Sequence, residues 1–236
     1  LTNKNIMVGI YPFLYNRKKR DLLLAQNRRT VSTLRLEKIR NRLSPHFIFN
    51  VLNQEVVNRK EEEKQELVSL VKLMRRNLEL AEQLCVTLAE ELDFVKTYID
   101  LERRSLGATF HPVIEIAGDV LPESVWLPSM MIQIPVENSV KHALRGKEGK
   151  RNLWIAADRR EGGVCIRITD NGGGYHPESR NRGTGTGMKV IMQTIQILNM
   201  KNQAAIDISV HNVTLPSGET GCEVTFLLPD KYDYRI

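Results

Sequence analysis

Apolar residues between positions 21 and 57 recur at intervals of three and four, and basic residues fill many of the positions between them. The stretch contains no glycine and a single proline, Pro45. Its apolar positions are Val31, Leu34, Leu36, Ile39 and Leu43. This spacing is typical of an amphipathic helix with one apolar stripe, so we predict a helix here.

The same spacing returns after a charged break at residues 58–65 and predicts a second long helix. Its apolar positions are Leu67, Leu70, Val71, Met74, Leu78 and Ala81, continuing through Leu88, Leu92, Val95 and Ile99. Two long helices joined by a short polar turn form an antiparallel hairpin. Because one hairpin buries little apolar surface, a homodimeric four-helix bundle would complete it. Packing of the hairpin on the chain's own second domain is the alternative.

The pattern changes at Gly107, where glycines and prolines appear and short apolar runs replace the helical spacing. Val164, Ile166 and Ile168 alternate with other residues, which is typical of a strand covered on one side only. The same alternation occurs at Ile206, Ile208 and Val210. We predict strands at Phe110–Ile116, Asn152–Asp158, Val164–Thr169, Ala205–His211 and Cys222–Leu228, and helices over about Ser129–Leu144 and Met188–Met200. The predicted fold class is α+β: a helical hairpin followed by a two-layer α/β sandwich with a mixed sheet.

The first twenty residues differ from the rest. Ile6–Tyr15 is apolar but has about half the length that a bilayer crossing needs, and Arg17-Lys18-Lys19-Arg20 follows directly. An apolar run before a basic cluster is typical of the cytoplasmic end of a transmembrane helix; a frayed amphipathic helix is the alternative. The chain starts at Leu1 rather than Met, so we expect it to be a piece of a longer protein attached to a membrane upstream of residue 1. The predicted domains are 1–20 (juxtamembrane), 21–106 (hairpin) and 107–236 (sandwich).

Composition limits the class of protein and its partners. Charged residues make up 26% and hydrophobic residues 42% of the 236 residues, which fits a globular protein. Residues 1–42 carry a net charge of +9, and the remainder carries −3. Since the basic residues gather at one end rather than over a folded face, we expect no nucleic-acid partner. Cys85, Cys165 and Cys222 match no metal-ligand spacing, and we interpret them as reduced thiols of a cytosolic compartment.

A proline and a histidine stand side by side in the first predicted helix, at Pro45 and His46. Proline removes a backbone donor and crowds the preceding turn, so it weakens or kinks a helix. One interpretation is a helix boundary with a partly buried histidine. The other is a functional histidine at a kink, which requires a partner reaction elsewhere in the chain.

Three elements of the second half are candidates for binding a nucleotide. In the first, a predicted helix over Ile132–Ala143 has a polar face that carries Glu137, Asn138, Lys141 and His142. Such a face can hold Mg²⁺ and phosphate groups, although most polar helix faces are only solvated.

The second and third elements are glycine-rich. Asp170-Asn171-Gly172-Gly173-Gly174 follows a predicted strand, where an aspartate can accept a hydrogen bond from a ligand amine and glycines allow close approach; an ordinary hairpin turn is the alternative. Gly183-Thr184-Gly185-Thr186-Gly187 opens into a predicted helix, whose N-terminus attracts phosphate. It matches neither the dinucleotide fingerprint nor a Walker A motif.

In that order and on those elements, the three motifs resemble the asparagine box and the two glycine boxes of the GHKL ATPases, which include DNA gyrase, heat-shock chaperone ATPases and histidine kinases. Pro45-His46-Phe47-Ile48-Phe49-Asn50, with the later segment Leu88–Glu102, is similar to one branch, the LytS/YehU-type bacterial sensor histidine kinases. The resemblance covers about residues 35–230.

This resemblance implies a role for each matching residue. His46 would be the phosphoacceptor, with Asn50 and Glu137 as further catalytic candidates, and Asp170 would bind the adenine amine. The remaining ATP contacts would be Asn138 as the Mg²⁺ ligand, Lys141 and His142 at the phosphates, Gly172 and Gly174 at the base pocket, and Gly183, Gly185 and Gly187 in the lid and phosphate loop.

Three positions depart from the usual family pattern: Ala143 replaces a common glycine, Met188 a leucine, and Phe47 the carboxylate that many histidine kinases have after the histidine. The implied function is a two-component sensor histidine kinase on the cytoplasmic side of the bacterial inner membrane. It would phosphorylate His46 from Mg-ATP and pass the phosphoryl group to an aspartate of a response regulator. The alternative is a degenerate nucleotide-binding signalling protein without kinase activity.

Overall fold

The computed structural model of the protein describes residues 83–175 and 186–234, and six helical positions before residue 83: Val68, Val71, Arg75, Arg76, Glu79 and Leu80. The juxtamembrane segment, the Pro45–Asn50 motif and most of the predicted hairpin lie outside the described residues. The four-helix bundle and the domain division at residue 106 therefore stay predictions.

The described chain alternates between short helices and strands. In order, it forms β1 (Cys85–Thr87), α1 (Leu88–Leu106), a 3₁₀ turn (Gly107–Thr109), β2 (Phe110–Ile116), β3 (Trp126–Pro128), α2 (Gln133–Asn138) continued by a π-helical segment (Ser139–Leu144), β4 (Arg151–Arg160), β5 (Gly163–Asp170), α3 (Thr186–Asn199), β6 (Asp207–Thr214) and β7 (Thr220–Pro229). The five longer strands and the two later helices confirm the predicted order of elements in the second half.

Five strands form one mixed sheet in the order β2-β4-β5-β7-β6. Strands β2 and β4 run parallel, and the other neighbours run antiparallel. Strand β5 lies at the centre, with Ile166 opposite Ala157 of β4 on one side and Phe226 of β7 on the other. Asp170 therefore ends the central strand, at the edge where Gly172–Gly174 leaves the sheet.

Alternation of burial shows that the helices cover one face of this sheet. Side chains that share a face with Ile166 are almost fully buried: Leu153, Ile155, Ala157, Val164, Ile168, Phe226 and Leu228. The opposite face carries partly exposed polar groups, among them the Arg167–Asp158 ion pair at 2.8 Å. The predicted α+β two-layer architecture is thus confirmed for the sandwich.

The prediction of one uninterrupted second helix is wrong, because strand β1 interrupts it at Cys85–Thr87 and pairs with β3. Helix α1 then begins at Leu88 with a capping box: the Thr87 hydroxyl accepts a hydrogen bond from the Glu90 backbone, and the Glu90 carboxylate accepts one from the Thr87 backbone at 2.9 Å. A β-branched residue that is also a good N-cap therefore ends the strand and starts the helix. The apolar side of α1 shares the core of the sandwich.

Two predicted boundaries also shift. The helix expected from Ser129 begins at Gln133, since Met130 adopts a left-handed backbone with φ of 67°. Strand β6 is displaced toward the C-terminus, and the expected apolar alternation fades along it. Ile206 is buried, but Val210 is exposed because β6 lies at the edge of the sheet. Within the described part of the chain, no helix is long and apolar enough to cross a membrane.

Candidate nucleotide site

Helix α2 and its π-helical continuation carry the predicted asparagine box. Pro135 lies in the first turn of α2, where its missing N–H costs little. The turn widens over Ser139–Leu144, a conformation that is rare and often found at functional sites. Asn138 is the last residue before this change and is half-buried. The widened turn therefore begins directly after the residue that the resemblance assigns to the metal.

The polar face of α2 is partly engaged in bonds of its own. The Glu137 carboxylate accepts hydrogen bonds from Gln133 Nε2 at 2.8 Å and from Lys141 Nζ at 2.6 Å. Lys141 and His142 are exposed. Among the residues that the structure describes, none bonds the Asn138 amide, so its oxygen is available to a ligand. Glu137 thus already accepts one hydrogen bond at each carboxylate oxygen.

Asp170 is the most buried of the predicted binding residues, with 3% of its surface exposed. Its Oδ2 accepts a hydrogen bond from the Ser139 hydroxyl at 2.8 Å, and its Oδ1 accepts one from the Gly172 backbone at 2.9 Å. Burial raises the pKa of this carboxyl group, although hydrogen bonds from the Gly172 backbone, the Ser139 side chain and the Cys222 backbone favour the ionised form. A carboxylate has about four lone-pair sites, so the group can still accept one hydrogen bond from a ligand amine.

The Ser139–Asp170 hydrogen bond joins the two halves of the site. Ser139 directly follows Asn138, and Asp170 ends β5, so the bond ties the asparagine box to the first glycine box. The approach is close: a Cβ atom on Gly172 would lie 2.3 Å from the Cβ of Ala143. Gly172 is therefore required by packing against the helix.

Two other predicted glycines are also at close contacts. Gly174 has φ of 88°, and a Cβ there would lie 2.8 Å from the Asn212 amide oxygen. A Cβ on Gly187, at the start of α3, would lie 2.9 Å from Ile134 Cγ2 of α2. The beginning of α3 is thus packed beside the asparagine box. Gly183, Gly185, His46 and Asn50 lie outside the described residues, so their roles stay predictions.

Sequence reasoning missed three residues that hold this region together. Ser139 gave no signal beyond its position next to Asn138. Asn171 is 1% exposed, and its side chain bonds the Asn152 backbone at 2.8 Å and the Glu219 carboxylate at 3.0 Å. Asn212 exchanges hydrogen bonds with the backbone of Tyr175. Only the position of Asn171 inside the glycine motif could have indicated its role.

Glu219 is a charged residue that contacts the Asp170–Gly174 loop through Asn171. Hydrogen bonds from Lys147, Asn171 and Ser217 lower the pKa of Glu219 to about 2, so this carboxylate is ionised at neutral pH. The Lys147–Glu219 ion pair measures 2.7 Å. The pair links the loop after π-helical residues 139–144 to the turn before β7, where Glu219 also bonds Asn171.

Two family models match the chain. A model described as histidine kinase matches residues 34–110, and one described as histidine kinase-, DNA gyrase B-, and HSP90-like ATPase matches residues 128–232. The second match spans α2, Asp170–Gly174 and α3. The matches confirm the resemblance predicted from the motifs.

The chain is also similar to curated proteins that are named as sensor proteins. Sensor protein LytS of Enterococcus faecalis is 28% identical over 167 residues, which cover 65% of this chain and 28% of that protein. Sensor protein LytS of Bacillus subtilis is 28% identical over 209 residues, which cover 82% of this chain and 33% of that protein. The chain spans about a third of the length of the curated relatives it matches.

A similar solved structure is the histidine kinase domain from the blue-light activated histidine kinase of Erythrobacter litoralis. It is 13% identical in sequence, with a TM-score of 0.45, and the match covers 86% of this chain and 94% of that chain.

Proposed function

Because this chain belongs to the histidine kinase family, we propose that it is the kinase portion of a two-component sensor that phosphorylates His46 from Mg-ATP. The observation that carries the proposal is the contact between the two boxes. The Ser139–Asp170 hydrogen bond of 2.8 Å brings the polar face of α2 to the end of the central strand. A site for a nucleotide needs both parts, one for the base and one for the phosphates.

At the base, Asp170 would accept a hydrogen bond from the adenine amine. Its burial supports this role, since a buried charged acceptor discriminates strongly for a donor. Gly172 and Gly174 would line the base pocket. Ser139 and the Gly172 backbone would hold the carboxylate in place while it binds.

At the phosphates, Asn138, Lys141 and His142 would make the contacts from α2, with Gly187 at the start of α3. The Asn138 amide oxygen fits a Mg²⁺ ligand, because magnesium prefers oxygen donors and is commonly held by few protein groups together with substrate phosphates. The described residues contain no cluster of three His, Cys, Asp or Glu side chains. Bound Mg²⁺ would supply neutralisation of the phosphate charge.

The proposed reaction is phosphoryl transfer from ATP to His46. A neutral imidazole nitrogen of His46 would attack the γ-phosphorus, a nitrogen–phosphorus bond would form, and the bond to the β–γ bridging oxygen would break to leave ADP. An unperturbed imidazole, with a pKa of about 6.5, is mostly neutral at cytoplasmic pH. Asn50 would orient the ring. Phosphohistidine would then pass its phosphoryl group to an aspartate of a response regulator.

The partners of the reaction belong to the same proposal. The predicted hairpin at 21–106 would pair with a second copy to form the dimer that presents His46. Membrane attachment upstream of residue 1 would hold this part on the cytoplasmic side of the inner membrane, as the basic cluster at 17–20 favours.

A second candidate is a nucleotide-binding signalling protein without kinase activity. Phe47 favours it, since many histidine kinases have a carboxylate at that place. The bonds of Glu137 to Gln133 and Lys141 favour it as well, because both oxygens of this candidate base already accept a hydrogen bond.

Incubation with γ-labelled ATP separates the two candidates. We expect acid-labile, base-stable label on the protein, lost in His46→Gln and retained in the matched control His111→Gln, which replaces an exposed histidine on β2. Nucleotide binding without label would support the second candidate.

A further inference from the structure

One face of α1 carries three polar side chains that the proposed function does not use. Glu91, Tyr98 and Glu102 are spaced by seven and four residues, so they lie along one side of the helix. All three are buried, with 0%, 5% and 8% of their surfaces exposed. Buried carboxylates need partners, and these two find them at opposite ends of α2 and its continuation.

Glu91 binds the N-terminus of α2. Its carboxylate accepts backbone hydrogen bonds from Met130, from Ile132 at 3.1 Å and from Gln133 at 3.1 Å. Helix α2 has no side-chain cap of its own. The next backbone donor is satisfied by the Met130 carbonyl, and Pro135 has none. A single side chain of α1 thus satisfies the free donors at the start of α2.

Glu102 binds the other end. Its Oε2 lies 2.6 Å from Nη2 of Arg145, the residue that follows the π-helical segment. The side chain of Glu102 is 11% exposed, so the pair is partly protected from solvent. The twelve residues from Glu91 to Glu102 therefore span the segment that carries Glu137, Asn138, Lys141 and His142.

Tyr98 lies between these two contacts. Burial raises the pKa of Tyr98, and the carboxylates of Glu102 and Glu137 raise it further. Its hydroxyl is buried and has no hydrogen-bond partner among the described residues. The face of α1 therefore binds this segment at its start through Glu91 and just beyond its end through Glu102.

We propose that Glu91 and Glu102 are positioning residues that fix α2 to α1 and thereby set the position of Asn138 for Mg-ATP. The inference rests on the proposed function for the identity of the ligand. Its consequence is that a displacement of α1 moves the asparagine box, while Asp170 remains anchored in the sheet. Helix α1 is the last part of the predicted phosphoacceptor hairpin (residues 21–106), so it would connect the phosphoacceptor to the nucleotide site.

Hydrogen exchange on the nucleotide-free chain tests the positioning by itself. In Glu91→Gln, we expect exchange at Met130, Ile132, Gln133 and through α2 to rise by about tenfold or more, with β4 and β5 unchanged. The matched control is Asp93→Asn, which removes an exposed carboxylate from the same helix. Unchanged exchange in α2 would overturn the proposal. An equal rise throughout the sheet would do so too, since it would mean that Glu91 only supports overall stability.

Calorimetry with ATP then tests the effect on the ligand. Mg²⁺ should increase ATP affinity over EDTA in the unsubstituted protein, and Glu91→Gln should lose most of that gain while Asp93→Asn keeps it. If the unsubstituted protein binds no Mg-ATP, the proposed function fails, and hydrogen exchange still decides the positioning. A gain from Mg²⁺ that survives in Glu91→Gln would contradict the inference.

The Glu102–Arg145 pair provides a second series that does not depend on the folding of Glu91→Gln. Glu102→Arg and Arg145→Glu should each weaken Mg-ATP binding several-fold, and the double substitution should restore it to within about twofold, because the ion pair returns with reversed polarity. Single substitutions without effect, or a double substitution no better than either, would overturn the role of Glu102.

Discussion

At the scale of single residues, the site depends on a few buried polar groups whose surroundings decide their chemistry. Asp170 illustrates this, because the Ser139 hydroxyl and the Gly172 backbone hold its carboxylate at the end of the central strand. A surface aspartate would be solvated and would discriminate poorly between ligands. A buried one must find a donor, and the proposed donor is the adenine amine.

Substitution of Asp170 tests the base contact. Asp170→Asn should weaken the binding of ATP and of ADP alike by about tenfold to a hundredfold, since a charged acceptor contact contributes about 1.5–3 kcal/mol. Calorimetry with both nucleotides measures this. Asp207→Asn, at an exposed position of β6, is the control. A loss for ATP with ADP unchanged would mean that Asp170 faces the phosphates.

Gly172 tests the contact between the two boxes. Gly172→Ala should lower the free energy of unfolding by about 1–3 kcal/mol, because its Cβ would lie 2.3 Å from the Cβ of Ala143. It should also weaken ATP binding, since the strained contact lies between Asp170 and Asn138. Gly118→Ala is the control, as a Cβ there meets open space. Equal stability of the two variants in urea unfolding would contradict the close packing.

The titration of Glu91 should make the stability of the protein depend on pH. Burial raises its pKa from 4.5 to about 7, and the neighbouring Glu90 adds to the rise, while the three backbone amides oppose it. A folded-state pKa above the unfolded value means that stability is full below the unfolded pKa and is lost as pH rises through the folded one.

We therefore expect the unfolding free energy of the unsubstituted protein, minus that of Glu91→Gln, to fall by about 3 kcal/mol as the pH rises from about 4.5 to about 8. Urea unfolding across this range measures the difference, with Asp93→Asn as the reference for loss of an exposed carboxylate. A difference that does not change with pH would show that Glu91 is ionised throughout.

At the scale of elements, the sequence predicted the sheet better than the connections to it. The five longer strands are indicated by short apolar runs, with clean alternation predicted in two of them, and the two later helices by their spacing, so short-range patterns sufficed. Strand β1 was missed because three residues between two helical patterns carry little periodicity. In addition, the closest pair of facing residues in β1 and β3 is 39 residues apart in the chain. Such a pairing is a tertiary effect that no local pattern contains.

The same distinction applies to the candidate site. The predicted binding residues stand in motifs with short spacings, and sequence alone could name them. Ser139, Asn171 and Glu91 act through partners that are distant in the chain: Glu91 and Gln133 are 42 residues apart. Their importance comes from burial, which the composition of a motif does not reveal.

Pro45→Ala tests the predicted kink at Pro45. Proline is about 3 kcal/mol less favourable than alanine inside a helix, so Pro45→Ala should raise the melting temperature. If the kink exposes His46, the variant should also incorporate less label at that histidine, with ATP affinity unchanged. Stability and activity would then move in opposite directions, as expected where strain is kept at a functional site. A higher melting temperature with undiminished label would reduce Pro45 to a tolerated irregularity.

At the scale of the whole molecule, the proposal divides two tasks between two parts of the chain. The sandwich would bind the nucleotide, and the predicted hairpin would supply the histidine and the dimer. Helix α1 is the connection between them, because it is the last part of the predicted hairpin and contributes to the core of the sandwich. A signal that displaces α1 would thus reach Asn138 directly.

Substitution of Asn138 tests that division. Asn138→Ala should reduce autophosphorylation by about a hundredfold or more, since it removes a group that stabilises charge in the transition state. Light scattering should still report a dimer, because the proposed metal ligand and the predicted bundle are assigned to different predicted domains. Loss of the dimer in this variant would count against the domain division.

The central claim is that this chain transfers the γ-phosphoryl group of ATP to His46. Tandem mass spectrometry of the protein after incubation with Mg-ATP, kept at alkaline pH to preserve phosphohistidine, tests it most directly. The account predicts one phosphoryl group per modified chain, located on His46 and missing in Asn138→Ala. A phosphoryl group on another residue, or an unmodified chain that nevertheless binds Mg-ATP, would contradict it.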